Sequence, residues 1–357
     1  MRSELGPIDL PPLTHLVALS DDVGIIQHAA ENIPKRWTGY CTDDVARAFM
    51  VALAYLRLHP RDEMALRLAS TYLAFLCDAQ REDGRFRNFM SYARTWLEEV
   101  GSEDSCGRAV WALGYGLRYA PDERWKRVCA DALLRALPVL GGLGALRARA
   151  FAALGLVHAL RSDAHAADGL AAALGACIAP LQAAHARIAT ENWNWFEPVL
   201  TYDNARLPQA LLAAGGVLGQ AASIEIGRAT LRFYREVTMA DGLFVPIGNL
   251  GWYRRGGARA RFAQQPLEAA AMVEAQLAAF EVDGSAVHLS AAGLAYAWFL
   301  GRNSLGLPLV REGACFDGLE ENGVNRNAGA ESTLAYLASG YALALVDEGR
   351  SGRIEAV

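Results

Sequence analysis

The stretch that decides the fold runs from residue 39 to residue 79 and reads GYCTDDVARAFMVALAYLRLHPRDEMALRLASTYLAFLCDA. Apolar residues recur at helical spacing over 42–58 and again over 62–79. Only His59-Pro60-Arg61 separates the two runs, and a polar, acidic segment precedes the first run. The stretch therefore predicts a helical hairpin with a short link at one end and chemically active residues at the other.

The same pattern returns along the whole chain. Alternation of apolar and polar residues, which is typical of half-buried strands, is nearly absent, and residues 242–246 are predicted as a loop or small hairpin. Twelve helices are predicted, over 13–31, 42–58, 62–79, 103–119, 122–138, 142–161, 165–187, 204–219, 220–239, 266–281, 285–303 and 329–348. We therefore expect an all-α protein.

The lengths of the links indicate how these helices are arranged. Links are short after helices 42–58 and 103–119, whereas the links before the helices that begin near 42, 103, 204, 266 and 329 are longer and rich in Trp, Asn, Asp, Glu and Arg. An open solenoid would show a motif of fixed period, and none is found. The sequence predicts an (α/α)6 toroid of about twelve helices, one domain over 1–357 with its core at 13–348. The long links should carry function on one face.

Composition excludes several classes of protein. The 357 residues are 53% hydrophobic and 20% charged, with a net charge of −5 and no run of Lys or Arg, which argues against a nucleic-acid partner. No apolar run is long enough to span a membrane, and the first residues do not resemble a signal peptide. Six scattered cysteines without a CxxC pair indicate a reducing, cytoplasmic location and no zinc site. Phosphate-binding glycine motifs are absent, so no cofactor is expected. A homo-oligomer is left open.

Five polar segments stand out, each at or before the start of a long helix: 39–47, 101–111, 191–206, 264–268 and 317–333. Capping explains part of their composition, because Thr42, Ser102 and Asp203 are suitable N-cap residues and acids favour a first turn. Three pairs do not follow from capping: Asp44/Arg47, Asp104/Arg108 and Asp203/Arg206. Each pair is either a structural ion pair within a helix or a device that keeps a carboxylate ionised in a pocket.

In a closed ring these helix starts converge on one end of the central cavity. Clustered acids beside aromatic, Arg and Asn side chains are typical of a sugar site, because glycoside cleavage needs one carboxylic acid and one carboxylate. The catalytic candidates are Asp43, Asp44, Asp104 and Asp203. The substrate-binding candidates are His28, Tyr40, Arg47, Arg108, Trp193, Trp195, Glu197, Tyr202, Asn204, Asn327 and Glu331.

Two Asp-Gly-x-Phe turns, at 83–86 and 241–244, add to this pattern. With them, the segments 27–29, 39–48, 201–208 and 327–333 resemble the six-hairpin glycosidase superfamily, and within it a bacterial group whose members occur alone or fused behind glycosyltransferase domains. The resemblance covers roughly residues 13–348 and implies the toroid fold. Val45 and Ala328 stand where similar sequences tend to have Asn and Gln. No separate nucleotide-sugar domain is seen, so a glycosyltransferase activity is not implied.

Three functions remain open. The first is an inverting glycoside hydrolase, or a phosphate-using relative, with Asp104 as the acid and Asp43 or Asp44 as the base. The second is a sugar isomerase or epimerase, which needs His28 or His288 in the pocket as an acid or base. The third is a non-catalytic carbohydrate-binding domain, in which the acids only form hydrogen bonds.

Overall fold

A computed structural model describes residues 9–162 and 169–354, with side chains up to residue 349. Twelve helices are present in this part of the chain: α1 Thr14–Leu19, α2 Thr42–Leu58, α3 Glu63–Ala79, α4 Glu103–Tyr119, α5 Glu123–Leu140, α6 Leu146–Leu160, α7 Leu170–Ile188, α8 Arg206–Leu218, α9 Ala221–Thr238, α10 Pro266–Asp283, α11 Ala286–Ala297 and α12 Ala330–Ile354. A short 3-10 helix spans Arg36–Thr38.

Strands are short and lie in the links. They form six antiparallel pairs: Ala29–Ala30 with Ile33–Pro34, Tyr40–Cys41 with Phe89–Met90, Val199–Leu200 with Tyr253–Arg254, Met239–Ala240 with Leu243–Phe244, Val310–Arg311 with Ala314–Cys315, and Gly318–Glu320 with Gly323–Asn325. The predicted small hairpin near 242–246 is confirmed. Two of these pairs, Tyr40–Cys41 with Phe89–Met90 and Val199–Leu200 with Tyr253–Arg254, join different links, and the other four lie within one link.

The helices form two concentric layers. In the inner layer α2, α4, α6, α8, α10 and α12 pack in that order, and α12 packs against α2, which closes the ring. Each inner helix has an outer partner: α3, α5, α7, α9 and α11 follow their inner helices, and α1 packs against α12. The predicted (α/α)6 toroid is confirmed.

All six inner helices point the same way. We refer to the end of the ring where they begin as the upper end, and to the opposite end as the lower end. Links from an outer helix to the next inner helix cross the upper end, and the longest cover 20–41, 80–102, 189–205, 239–265 and 298–329. At the lower end only residues 59–62, 120–122, 219–220 and 284–285 separate four of the hairpins' helices. The predicted division between short and long links is confirmed.

The interface between α4 and α6 is made by glycines. A Cβ atom on Gly114 would lie 2.0 Å from the carbonyl oxygen of Gly155, and one on Gly107 would lie 2.4 Å from that of Ala148. Any side chain at these positions would clash with backbone, so the two helices approach more closely than larger residues allow. We refer to Gly107, Gly114 and Gly155 as the glycine seam.

Local details correct some sequence predictions. Ser102 caps α4, since its hydroxyl accepts a hydrogen bond from the Ser105 amide at 3.0 Å. Thr42 does not cap α2, because its hydroxyl donates to the Arg87 carbonyl at 2.7 Å, and Asp203 precedes the N-cap of α8 by two residues. The helix predicted over 13–31 ends at Leu19, after which the chain turns into the first strand pair.

The helix predicted over 165–187 was expected to begin at His165, which lies outside the described residues. All six cysteines are unpaired. Within residues 9–162 and 169–354, none of the helices combines the length and the apolar character needed to cross a membrane.

Candidate active site at the upper end of the ring

A cavity of about 770 Å³ opens at the upper end, among the first turns of the inner helices. We refer to it as the upper cavity. Six carboxyl side chains line it: Asp43, Asp44, Glu103, Asp104, Asp317 and Glu331. Among its other lining residues are Arg47, Arg108, His28, Tyr202, Gln265, Phe89 and Trp252. Eight of the fifteen residues predicted from the sequence therefore meet in one place.

Arg108 organises the first group of acids. Its side chain is buried, and its Cζ atom lies 4.0 Å from the centre of the Phe151 ring. Nη2 donates to Asp203 at 2.8 Å, and Nη1 donates to Asp43 Oδ1 at 3.4 Å. Asp104 Oδ2 lies 4.0 Å from the same Nη1 atom. The positive charge of this one guanidinium therefore compensates the negative charges of carboxylates from α2, from α4 and from the link before α8.

The spacing of Asp43 and Asp104 follows from that shared nitrogen. Because their nearest oxygens lie 3.4 and 4.0 Å from Arg108 Nη1, those oxygens are at most 7.4 Å apart. Retaining glycosidases separate their carboxyl groups by about 5 Å, and inverting ones by about 6.5–9.5 Å. This upper limit is compatible with either arrangement.

Arg47 organises the second group. It donates from Nη1 to Asp44 at 3.0 Å and from Nη2 to Glu331 at 2.8 Å. Burial raises the pKa of Asp44 to about 6, although the neighbouring Arg47 charge acts in the opposite direction. Cys41 Sγ donates to the other Asp44 oxygen at 3.1 Å. Asp44 can therefore hold a proton close to neutral pH.

Tyr202 fixes the orientation of Asp104. Its hydroxyl donates to Asp104 Oδ2 at 2.7 Å, and its ring lies under Arg147, whose Cζ atom is 4.7 Å from the ring centre. Arg147 also pairs with Glu197 at 2.9 Å and donates to the Tyr202 carbonyl. The Asp104 carboxyl group is therefore held in one orientation beside the Arg108 guanidinium.

Asp203 does not line the upper cavity but lies beneath it, at a second cavity inside the ring. It is buried between Arg108 at 2.8 Å and Arg206 at 3.2 Å, and its backbone has a positive φ of 49°. Its amide donates to Glu268, which also accepts from Tyr234 at 2.6 Å and from Asn204 at 3.1 Å. Asp203 and Asn204 therefore form part of a buried polar network that supports the floor of the upper cavity.

Trp193 and Trp195 do not reach the upper cavity. Both are buried, at 2% and 0% exposure, because they pack against Phe233, and Trp193 Nε1 donates to the Glu197 carbonyl at 2.8 Å. Neither ring is available to stack on a sugar, contrary to the sequence prediction. They hold the 189–205 link in place instead.

Tyr40 and Asn327 also do not line the upper cavity. Tyr40 is buried and donates to Asp21 at 2.7 Å. Asn327 donates to His28 at 3.1 Å and to Asp317 at 3.0 Å. Both residues therefore support the walls.

Sequence reasoning missed the aromatic residues that do line the upper cavity. Phe89 follows α3 in the first long link, and Trp252 lies in the link before α10. Trp252 has a positive φ of 59°, a conformation that costs energy for a bulky residue and often occurs at functional sites. Its position in a long link next to Gly251 was the available signal. These rings offer the apolar faces that had been assigned to Trp193 and Trp195.

Comparisons with known proteins agree on the architecture. No known family matches the sequence, and no curated protein is similar to it in sequence. Among solved structures, cellobiose 2-epimerase from Bacillus thermoamylovorans is similar with a TM-score of 0.72 at 11% identity, over 94% of this chain and 96% of that chain. A D-mannose isomerase has a TM-score of 0.69 at 12% identity, over 92% and 94%. A GH76 alpha-mannanase from Bacteroides thetaiotaomicron has a TM-score of 0.63 at 9% identity, over 95% of each chain.

These neighbours define the class to which the fold belongs. Like these structures, the chain has an (α/α)6 toroid fold. At these identities the likeness establishes the fold alone, and both isomerising and hydrolysing enzymes share it.

Proposed function

We propose that this protein is a carbohydrate-active enzyme that hydrolyses a glycosidic bond with a pair of carboxyl groups in the upper cavity. The observation that carries the proposal is that Asp43, Asp44 and Asp104 line one cavity, where Asp43 and Asp104 share a guanidinium nitrogen of Arg108. Glycoside hydrolysis needs two carboxyl groups in different protonation states.

The surroundings of Asp44 and Asp104 support a role for each. Asp44 has a pKa raised to about 6 by burial and is our candidate for the acid that donates a proton to the leaving glycosidic oxygen. Asp104 accepts from Tyr202 and lies 4.0 Å from Arg108, so its carboxyl group is held in place at the cavity wall. It is our candidate for the base that takes a proton from water as the water oxygen attacks the anomeric carbon. This reverses the sequence-based choice of Asp104 as the acid.

The remaining lining residues fit a sugar. Phe89 and Trp252 offer ring surfaces for the C–H face of a pyranose, and Arg47 and Gln265 offer donors for its hydroxyl groups. The names of several structural neighbours, the alpha-mannanase among them, are those of glycoside hydrolases and support the proposal.

One observation favours a second candidate, a sugar epimerase or isomerase. His28 lines the upper cavity, where it could abstract a proton next to a carbonyl carbon. His288 does not reach the cavity, because it lies on the outer helix α11 and contacts Gln276 at 2.7 Å. This candidate therefore depends on His28, and the names of the epimerase and isomerase neighbours support it.

The test is a panel of aryl glycosides and natural oligosaccharides, incubated with and without phosphate. We expect hydrolysis by the wild type and a loss of roughly 10²–10⁴-fold in D44N and in D104N, the range typical of general acid–base residues. D131N is the matched control, because Asp131 is exposed on the outer helix α5. The anomer released, followed by NMR, distinguishes inversion from retention.

Two outcomes would replace the proposal. Isomerisation of a reducing sugar in heavy water, with solvent deuterium at the carbon next to the carbonyl and loss of activity in H28A, would establish the epimerase candidate. Sugar binding that is equal in wild type, D44N and D104N, with no turnover of any substrate, would identify a binding domain.

A further inference from the structure

A second cavity, of about 340 Å³, lies inside the ring below the upper cavity. We refer to it as the lower cavity. Side chains from all six inner helices form its wall, most of them apolar, including Met50, Leu154, Val157, Leu277, Leu334 and Leu345. Arg47, Arg108 and Glu331 line both cavities, so the ion pairs described above form the partition between them. The lower cavity therefore has its own surroundings and is not a subsite of the upper one.

The lower cavity is elongated and opens at the lower end. Arg47 at its top and Arg57 at its bottom are ten residues apart on α2, a rise of about 15 Å. At the bottom Arg57, Arg161 and Glu281 are all exposed, which gives access from solution. Its volume is at the small end of the range of about 300–1,000 Å³ for ligand pockets.

Basic and aromatic side chains surround this opening. Arg57 Cζ lies 4.0 Å from the centre of the Tyr119 ring, and Arg118 Cζ lies 4.8 Å from the same ring. Arg57 donates to the Tyr115 hydroxyl at 3.2 Å, and the His158 ring packs edge-on against Tyr115 at 4.9 Å.

The charge at this opening is only partly compensated by acids. Arg161 pairs with Glu281 at 3.0 Å, whereas in the described part of the chain neither Arg57 nor Arg118 has a carboxylate within 4.0 Å. The carbonyl ends of the inner helices offset part of the positive charge. Arg57 donates from Nη1 to Tyr115, which leaves its other N–H groups for a ligand.

We propose that the lower cavity binds a single-chain amphiphile with an anionic head, such as a medium-chain carboxylate. Its alkyl chain would lie along the apolar part of the wall, and its carboxylate would accept hydrogen bonds from Arg57 at the opening. The apolar part of the wall, which lies between Arg57 and the polar residues Arg206 and Glu274 deeper in the cavity, complements such a chain, and Arg57 complements its charge. This ligand is distinct from the sugar proposed for the upper cavity.

Calorimetric titration with three molecules of one chain length tests the proposal: octanoate, octan-1-ol and octylammonium. Octanoate should bind at least about tenfold more tightly than octan-1-ol, since hydrogen bonds to charged groups are among the strongest. Octylammonium should bind most weakly.

R57Q should weaken octanoate binding by about tenfold. R127Q, which removes an exposed arginine from the outer helix α5, is the control and should bind as the wild type does.

Two further variants locate the site. Ala278 and Ala338 line the lower cavity, so A278F or A338F should fill it and abolish octanoate binding, with circular dichroism as the test of folding. D104N should bind octanoate as the wild type does, which separates this result from the proposed hydrolysis. Absence of octanoate binding, octan-1-ol binding as tight as that of octanoate, or binding unchanged in both folded Phe variants would each overturn the proposal.

Discussion

Asp44 is the residue whose environment most directly governs the proposed chemistry. If it is the acid, kcat/KM should fall about tenfold per pH unit above its pKa of about 6, because the proton that it must donate is lost. In R47Q the neighbouring positive charge is gone, so the pKa of Asp44 should rise and the alkaline limb should move to higher pH. Profiles of kcat/KM measured from pH 4.5 to 8.5 in both proteins check this. An alkaline limb at the same pH in both would assign the acid to another residue.

Glu268 provides a prediction about stability. Burial raises its pKa to about 7, whereas the ordinary value is 4.5. Between these values the folded state binds a proton that the unfolded state has released, so the free energy of unfolding should fall as the pH rises. In E268Q the side chain at this position is an amide, which does not bind or release a proton in this pH range. The wild type should therefore lose roughly 3 kcal/mol relative to E268Q between pH 4.5 and pH 7.

Urea unfolding of both proteins across that pH range measures the difference. E281Q serves as the control, because Glu281 is exposed at the lower end. Parallel stability curves for wild type and E268Q would show that Glu268 is ionised in the folded protein at all these pH values.

The residues of the site could be predicted in part from the sequence. Asp43, Asp44, Asp104 and Arg108 were found because acids and an arginine in the first turns of inner helices must face the same end of a ring. Trp193 and Trp195 were misjudged, since residue type does not say whether a ring points to solvent or to the core. Trp252 was missed because its backbone conformation, which sequence spacing does not encode, brings it to the cavity.

At the scale of elements, the glycine seam sets the distance between α4 and α6. G114A would place a Cβ atom 2.0 Å from the Gly155 carbonyl oxygen, so the helices must separate, at a cost of about 2 kcal/mol or more in the free energy of unfolding. G175A is the matched control, because a Cβ atom on that helical glycine meets nothing within 4 Å. It should be stabilised by about 0.5–1 kcal/mol. Equal effects of the two substitutions in urea unfolding would refute a packing role for the seam.

Helix starts were predicted more accurately than the irregular structure between helices. Helices α2, α4 and α10 begin where the polar-to-apolar change placed them, at residues 42, 103 and 266. The first helix was predicted twelve residues too long because Val23, Ile25 and Ile26 continue a helical spacing. Two of them, Ile25 and Ile26, are buried in the hydrophobic core by a turn and a strand pair. Apolar periodicity cannot distinguish these two ways of burying the same side chains.

At the scale of the whole molecule, closure of the ring predicts cooperative unfolding. Helix α1 is the outer partner of α12, so a defect in α1 weakens the contact that joins the ring's last and first inner helices. L16A removes a fully buried side chain of α1 and should lower the free energy of unfolding by about 2–5 kcal/mol. Unfolding curves followed by circular dichroism and by tryptophan fluorescence should show the same single transition. L16A should shift both curves by the same amount.

V287A is the control for this prediction, because Val287 is 58% exposed on the outer helix α11, and the substitution should change stability by less than about 0.5 kcal/mol. Separate transitions by the two probes would indicate that the ring unfolds piecewise, as open repeat arrays can. They would also contradict the prediction of a single domain over 1–357.

The common direction of the inner helices has an electrical consequence. Each helix macrodipole places about half a positive charge at its N-terminus, so six of them bring roughly three positive charges to the rim of the upper cavity. This field belongs to the backbone, and no side-chain substitution removes it. Replacing several of the six acids by amides would therefore leave an electropositive basin, and phosphate or sulfate from the buffer would then compete with any neutral sugar for the same space.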